Sequence, residues 1–107
     1  MMAHPRQEEL LAALPAALRE RAVDLSEVGS AEYAFPVDCV EQVFDLLAAA
    51  EFLILGGDLW QRKGLGFEPA YEGWYVESPD ADSQLAWNRF LHIIPEGGEF
   101  FVTFVVQ

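Results

Sequence analysis

The sequence predicts an α+β fold with the element order ααββαβ and a mainly antiparallel, three-stranded sheet packed with helices. Two observations carry this prediction. First, apolar residues in three segments recur at the three- and four-residue intervals of an amphipathic helix. Second, three other apolar runs are bounded by Gly, Pro or Asp, which is typical of β-strands. The chain has 107 residues, 52% of them hydrophobic, so we expect residues 1–107 to form a single domain with one core.

The N-terminal half contains the first two helical segments. Leucines recur at helical intervals within Gln7–Val23, and we expect Pro15 to divide this segment, because an interior proline removes a backbone donor and clashes with the preceding turn. Asp24–Ser30 has the composition of a loop. The second segment is predicted to run from Pro36 to about Ala50, since proline is favoured in the first turn of a helix. Its expected buried face consists of Val40, Val43, Phe44 and Leu47.

A hairpin is predicted to follow the second helix. Its first strand is expected over Phe52–Gln61 and its second over Gly73–Glu77, with a loop around Arg62–Glu72 between them. Pro69 lies in that loop and has no N–H to donate to a neighbouring strand. We therefore expect irregular pairing at this point of the hairpin.

The third helix and the last strand complete the fold. Asp82 or Ser83 is predicted to cap a helix that runs to about Ile94. Phe100–Val106 is rich in β-branched and aromatic residues on both faces, which places it inside the sheet or between covering helices. A crossover through the third helix brings it beside the first strand, so the predicted strands have the sheet order 2-1-3.

The charge of the chain excludes several classes of partner. Eighteen acidic residues against six basic ones give a formal net charge of -12 at pH 7. Nucleic acids and anionic lipids are recognised by Lys and Arg, so we expect neither nucleic acid nor a membrane as a partner. A field of this sign instead attracts a basic protein and raises its association rate. Asp38, Glu41 and Asp45 recur at helical intervals as an acidic stripe, which is either a solvated helix face or a docking surface for such a partner.

The histidines and the cysteine do not indicate a catalytic or metal site. His4 and His92 have no neighbours at the spacing of metal ligands, so we expect no metal ion and no cofactor. Cys39 is the only cysteine, which excludes an intrachain disulfide and favours a reducing, cytoplasmic location. As a nucleophile it would need His92 beside it, whereas a cysteine in an amphipathic helix is usually a small buried apolar residue.

Carboxylates offer the other route to catalysis. An enzymatic role would require Asp58, together with Glu72 or Glu77, in a cleft between the strand ends and the hairpin loop. The sequence alone does not provide such a cleft, and the glycines beside Asp58 lack the pattern of a phosphate-binding loop. We therefore expect a protein that is not an enzyme.

The clearest functional signal is the segment around Gly56-Gly57. Adjacent glycines are costly within a strand and indicate a bulge, a bend or a close approach of another group. Read together, ILGGDLW (Ile54–Trp60), the following Gly-containing loop and EGWYVE (Glu72–Glu77) resemble the immunity protein 40 family, and LSEVG (Leu25–Gly29) is consistent with its layout. These are small α+β proteins of bacterial polymorphic toxin systems. The resemblance implies an antitoxin that binds a cognate toxin protein, and the charge implies that this toxin is basic.

Eight residues are candidates for contact with the toxin. They are Asp38, Glu41, Asp45, Asp58, Trp60, Glu72, Trp74 and Tyr75, whereas Gly56 and Gly57 are expected to be structural. The aromatic candidates have an alternative role as core or cross-strand pairs. Because side chains alternate along a strand, Trp74 and Tyr75 face opposite sides, and the exposed one is the better anchor for a partner. The alternative function is an acidic protein-interaction or structural module without antitoxin activity. Toxin identity and oligomeric state are left open.

Overall fold

The computed structural model describes residues 5–76, 83–95 and 99–107. Its helices are α1 Pro5–Ala12, α2 Ala16–Arg19, α3 Val40–Ala49 and α4 Ser83–Leu91, and a short 3₁₀ helix spans Ser26–Val28. Its strands are β1 Val23–Asp24, β2 Tyr33–Pro36, β3 Ile54–Lys63, β4 Gly66–Tyr75, β5 Phe100–Thr103 and β6 Val105–Val106. Three residues considered above, His4, Glu77 and Asp82, lie outside the described residues.

The strands form one antiparallel sheet with the order β1-β2-β5-β3-β4, and β6 also pairs with β3. This architecture confirms the α+β class. It also confirms the order 2-1-3 of the three predicted strands, since β3 lies between β4 and β5. The doubly apolar last segment lies inside the sheet as predicted, because β5 is flanked by β2 and β3.

The described sheet has six strands, whereas the sequence pattern predicted three. The predicted last strand is divided into β5 and β6, which Phe104 separates. Val23–Asp24 form β1 where the end of a helical segment and the start of a loop were expected, and Tyr33–Pro36 form β2 up to the residue expected to begin the next helix. Pro36 ends β2, and the next backbone N–H, that of Val37, donates to the Phe100 carbonyl at 3.1 Å. The helix that follows therefore begins later, at Val40. Strands of two and four residues are too short to show a period in the sequence, which explains why they were missed.

The β3–β4 hairpin is longer than predicted and contains an irregularity. Its turn is only Gly64-Leu65, and Gly64 has a φ of 59°, a conformation that favours glycine. Asp58 faces Gly73 and Trp60 faces Pro69, so three residues of β4 lie opposite one residue of β3. We call residues 70–72 the β4 bulge. The irregular pairing predicted near Pro69 is confirmed, and β4 lies at the edge of the sheet, where proline is tolerated.

The main core lies between the sheet and the helices. Pro15 separates α1 from α2 as predicted, and the expected face of α3 is buried. The largest fully buried residues of the main core are Trp87, Phe35, Phe44, Phe90, Phe104, Leu10, Leu47 and Leu59. The opposite face of the sheet carries a smaller cluster formed by Leu25, Ala34, Trp60 and Phe101.

Candidate functional site

Two glycines of β3 lie opposite two aromatic residues of β4. Gly56 pairs with Tyr75, and Gly57 pairs with Trp74. A Cβ atom at Gly57 would lie 2.0 Å from the backbone oxygen of Thr103, and one at Gly56 would lie 2.2 Å from the backbone oxygen of Trp74. Both distances are far below van der Waals contact, and backbone atoms cannot rotate away as a side chain can. The close packing of the strands therefore requires glycine at both positions.

The two aromatic residues lie on opposite faces of the sheet, as strand alternation predicts. Trp74 is 6% exposed and packs against Trp87 and Phe90, with ring centroids 5.5 and 6.3 Å away. Tyr75 is 67% exposed, and its Cδ1 atom lies 3.0 Å from the position that a Gly56 Cβ would take. The Tyr75 ring thus covers the bare backbone at Gly56, as aromatic residues do beside glycine in sheets. Only Tyr75 of the pair is open to a partner.

The face of β3 that points away from the main core carries Asp58, Trp60 and Arg62 at alternate positions. Trp60 belongs to the small cluster on that face. The Arg62 guanidinium lies 5.1 and 5.2 Å from the ring centroids of Phe67 and Phe101, which are cation–π distances. Arg62, the basic residue on the same face of β3 as Asp58, therefore packs against these two aromatic rings.

The carboxylate of Asp58 is partly buried and lies over Gly73. A Cβ at Gly73 would be 2.8 Å from Asp58 Oδ1, so glycine there leaves the space that the carboxylate occupies. The backbone N–H of Asp58 donates to Thr103 Oγ1 at 3.1 Å, which ties this part of β3 to β5. Within the described residues the carboxylate itself has no hydrogen-bond or ion-pair partner. Burial raises the pKa of Asp58 above its ordinary value.

The β4 bulge opens a cleft of about 450 Å³ beside Asp58. Its lining consists of Asp58, Leu59, Trp60, Pro69, Glu72, Gly73 and Tyr75, and we call it the bulge cleft. Four of the eight candidate contact residues therefore lie together, namely Asp58, Trp60, Glu72 and Tyr75. Two carboxylates beside an exposed aromatic ring favour a positively charged group.

An enzymatic role for Asp58 requires a cleft, and the structure has one. The residues that line it include no histidine, cysteine or lysine, and the described part of the chain holds no group of three or more His, Cys, Asp or Glu residues arranged for a metal ion. The alternative nucleophile, Cys39, is buried, and its thiol donates to the Pro36 carbonyl at 3.3 Å. Burial raises the pKa of the Cys39 thiol, so it is held in the unreactive protonated form.

The acidic stripe forms a second candidate surface, which we call the α3 stripe. Glu41 and Asp45 lie on α3, whereas Asp38 lies in the turn before it, because the helix begins at Val40 and not at Pro36 as predicted. Asp38, Glu41 and Asp45 are all exposed. Asp38 is paired with Arg21, whose Nη2 atom lies 2.7 Å from one carboxylate oxygen, so one charge of the stripe is already neutralised. Asp38 and Glu41 also line a cleft of about 560 Å³ together with His92. The α3 stripe and the bulge cleft share no residue.

Sequence reasoning missed the contacts that distinguish these two surfaces. The pairing of Arg21 with Asp38 joins residues separated by 17 positions, and no local pattern indicates it. The role of Gly73 as the space for the Asp58 carboxylate depends on the register of the hairpin. The only available signal was the proline at position 69, which pointed to irregular pairing but not to a cleft.

The family model described as Immunity protein 40 matches residues 24–93, which are 70 of the 107 residues of the chain. The chain belongs to the immunity protein 40 family. The part matched by the immunity protein 40 model contains both the α3 stripe and the bulge cleft. No curated protein and no solved structure matches the chain.

Among the described residues, none of the helices has both the length and the apolar composition needed to cross a bilayer.

Proposed function

We propose that this protein is an antitoxin that binds a cognate polymorphic toxin domain and neutralises it, and that residues 1–107 act as one immunity domain. Membership of the immunity protein 40 family is the observation that carries this proposal. The partner is a protein rather than a nucleic acid or a membrane. No catalytic step, cofactor or metal ion is part of the proposal, and we place the complex in the cytoplasm of the cell that makes both proteins.

The charge supports a basic toxin as the partner. The net charge of -12 creates a field that accelerates the approach of a positively charged domain, and salt screens that field over about 10 Å at 0.1 M. Glu41 and Asp45 of the α3 stripe and Glu72 of the bulge cleft are exposed and contribute to it. An acidic protein that covers a basic substrate cleft would inhibit the toxin by excluding its substrate.

The test is binding and protection against toxin domains encoded beside the gene. We expect a complex with a Kd in the nanomolar range or below, an association rate that falls as salt rises, and restored growth when both proteins are co-expressed. If none of the neighbouring toxin domains is bound or neutralised, the antitoxin proposal is wrong.

The second candidate function is an acidic interaction or structural module. The exposed, solvated Glu41 and Asp45 favour it, because a helix face of this kind needs no partner to be stable. This function predicts that Glu41→Gln and Asp45→Asn leave every association rate unchanged. The antitoxin function predicts a slower association with the toxin.

A further inference from the structure

We propose that the bulge cleft receives one basic side chain, a lysine or an arginine, from a peptide segment of the toxin. The inference rests on the proposed antitoxin function and adds the place and the chemistry of the contact. Asp58 and Glu72 pair with the cation, and the exposed ring of Tyr75 flanks it.

Asp58 favours a cationic occupant because its carboxylate is partly withdrawn from water without a counter-ion in the described structure. An exposed carboxylate loses hydration when it forms an ion pair, which is why exposed pairs contribute little to binding. Folding has already removed part of the hydration of Asp58, and this burial is also what raises its pKa. A cation that enters the cleft therefore gains the attraction of this carboxylate with a smaller desolvation cost.

Trp60 supplies a second, independent observation. It lines the cleft and is only 9% exposed, and its indole N–H has no hydrogen-bond acceptor among the described residues. A buried donor without an acceptor is unfavourable, and this nitrogen is closed to solvent, so an oxygen in the cleft can accept from it only if the indole ring moves toward the cleft. The carbonyl next to a basic residue in a peptide segment is such an oxygen. A free metal cation brings no equivalent group.

The α3 stripe is less suited to this contact. Asp38 already forms an ion pair with Arg21. Glu41 and Asp45 are exposed on the surface of the helix. Fully hydrated charges on a helix surface act mainly on the rate of encounter. We therefore assign steering to the α3 stripe and the specific ion pair to the bulge cleft.

The first experiment uses the full chain and needs no toxin. Two short glycine peptides with blocked ends, one carrying a central arginine and the other a central glutamine, are titrated into the ¹⁵N-labelled protein. We expect saturable shifts of the Asp58, Gly73 and Tyr75 amides and of the Trp60 indole N–H with the arginine peptide only. The Trp74 indole N–H, which also lacks a partner but faces the main core, serves as the internal control.

The matched variants separate a local contact from overall charge. Two double variants each remove two negative charges. The cleft variant carries Asp58→Asn and Glu72→Gln, and the stripe variant carries Glu41→Gln and Asp45→Asn. We expect the cleft variant to bind the arginine peptide at least about tenfold more weakly, as loss of hydrogen bonds to a charged group implies, while the stripe variant stays within about twofold of wild type. The single variant Glu72→Gln changes only an exposed side chain and keeps the test valid if the double variant does not fold.

Two results would overturn the inference. One is the absence of saturable shifts around the cleft with the arginine peptide, and the other is an equal loss of affinity in the two double variants. Neither result bears on the antitoxin function, which has its own test of binding and protection. With a toxin identified by that test, the cleft variant should dissociate about 10- to 100-fold faster, and the stripe variant should mainly associate more slowly.

Discussion

Replacing Gly57 with alanine tests whether the glycine pair is needed for packing. The new Cβ would lie 2.0 Å from the Thr103 backbone oxygen, whereas ordinary van der Waals contact begins at 3.4 Å, so β3 and β5 would have to separate by about 1.4 Å. Thr103 and its neighbours Val102 and Phe104 are all 0% exposed, so β5 cannot move without disturbing the core. Overpacking of this kind costs about 1–3 kcal/mol, and we expect a loss near about 3 kcal/mol because the obstacle is backbone.

Gly66→Ala is the matched control, since the nearest heavy atom to its added Cβ is 3.9 Å away. We expect this variant to stay within about 0.5 kcal/mol of wild type, or to gain about 0.4–1 kcal/mol from the reduced entropy of the unfolded chain. The free energy of unfolding of both variants is measured by urea titration, with circular dichroism and tryptophan fluorescence as the signals. A loss of about 3 kcal/mol corresponds to a fall in Tm of about 12–24 °C for a domain of this size.

Equal stability of Gly57→Ala and Gly66→Ala would refute the packing argument. If the glycine pair were instead a point of contact with the toxin, Gly57→Ala would keep its stability and lose affinity. Measuring both quantities on the same preparation, below the unfolding transition, separates the two roles.

Three further predictions concern polar groups. Because the pKa of Asp58 is raised, its carboxyl group keeps its proton to higher pH in the folded protein than in the unfolded chain. The free energy of unfolding should therefore fall as the pH rises from about 3.9, the ordinary pKa of Asp, through the raised pKa of the folded protein. The variant Asp58→Asn should not show this fall. Burial and the hydrogen bond to Glu8 raise the pKa of Tyr33 to about 12, so absorbance titration should show a late tyrosinate step that Tyr33→Phe removes. Gln7 is buried and donates to the Phe104 carbonyl at 2.8 Å, so Gln7→Met should lower the free energy of unfolding by about 1–3 kcal/mol in urea titrations.

The elements with a clear period were predictable from sequence. The apolar positions of α3 repeat over several turns, and β3 and the last strand are long enough for composition to identify them. Pro15 marks the break between the first two helices because its effect on the backbone is local. By contrast, β1 has two residues and is held by its partner strand, so no property of Val23–Asp24 alone indicates a strand.

The bulge cleft was only partly predictable. Alternation placed Trp74 and Tyr75 on opposite faces, and this required knowledge of the strand alone. Asp58 and Glu72 line the same cleft because three residues of β4 lie opposite Leu59, and that number is set by the pairing of the whole sheet. Composition identified the acidic residues, whereas tertiary pairing decided that Asp38 has a counter-ion and that Asp58 has none within the described structure.

The glycine pair and the bulge cleft are linked by one register. The pairing of Gly57 with Trp74 closes the main core, and the same hairpin register places Gly73 beneath the Asp58 carboxylate on the other face. A slip of one residue would exchange the two faces, so that Trp74 would leave the core and Tyr75 would enter it. The residues that carry the family resemblance therefore act on the proposed contact by holding its geometry. We infer that a change at Gly56 or Gly57 weakens toxin binding only to the extent that it disturbs this register.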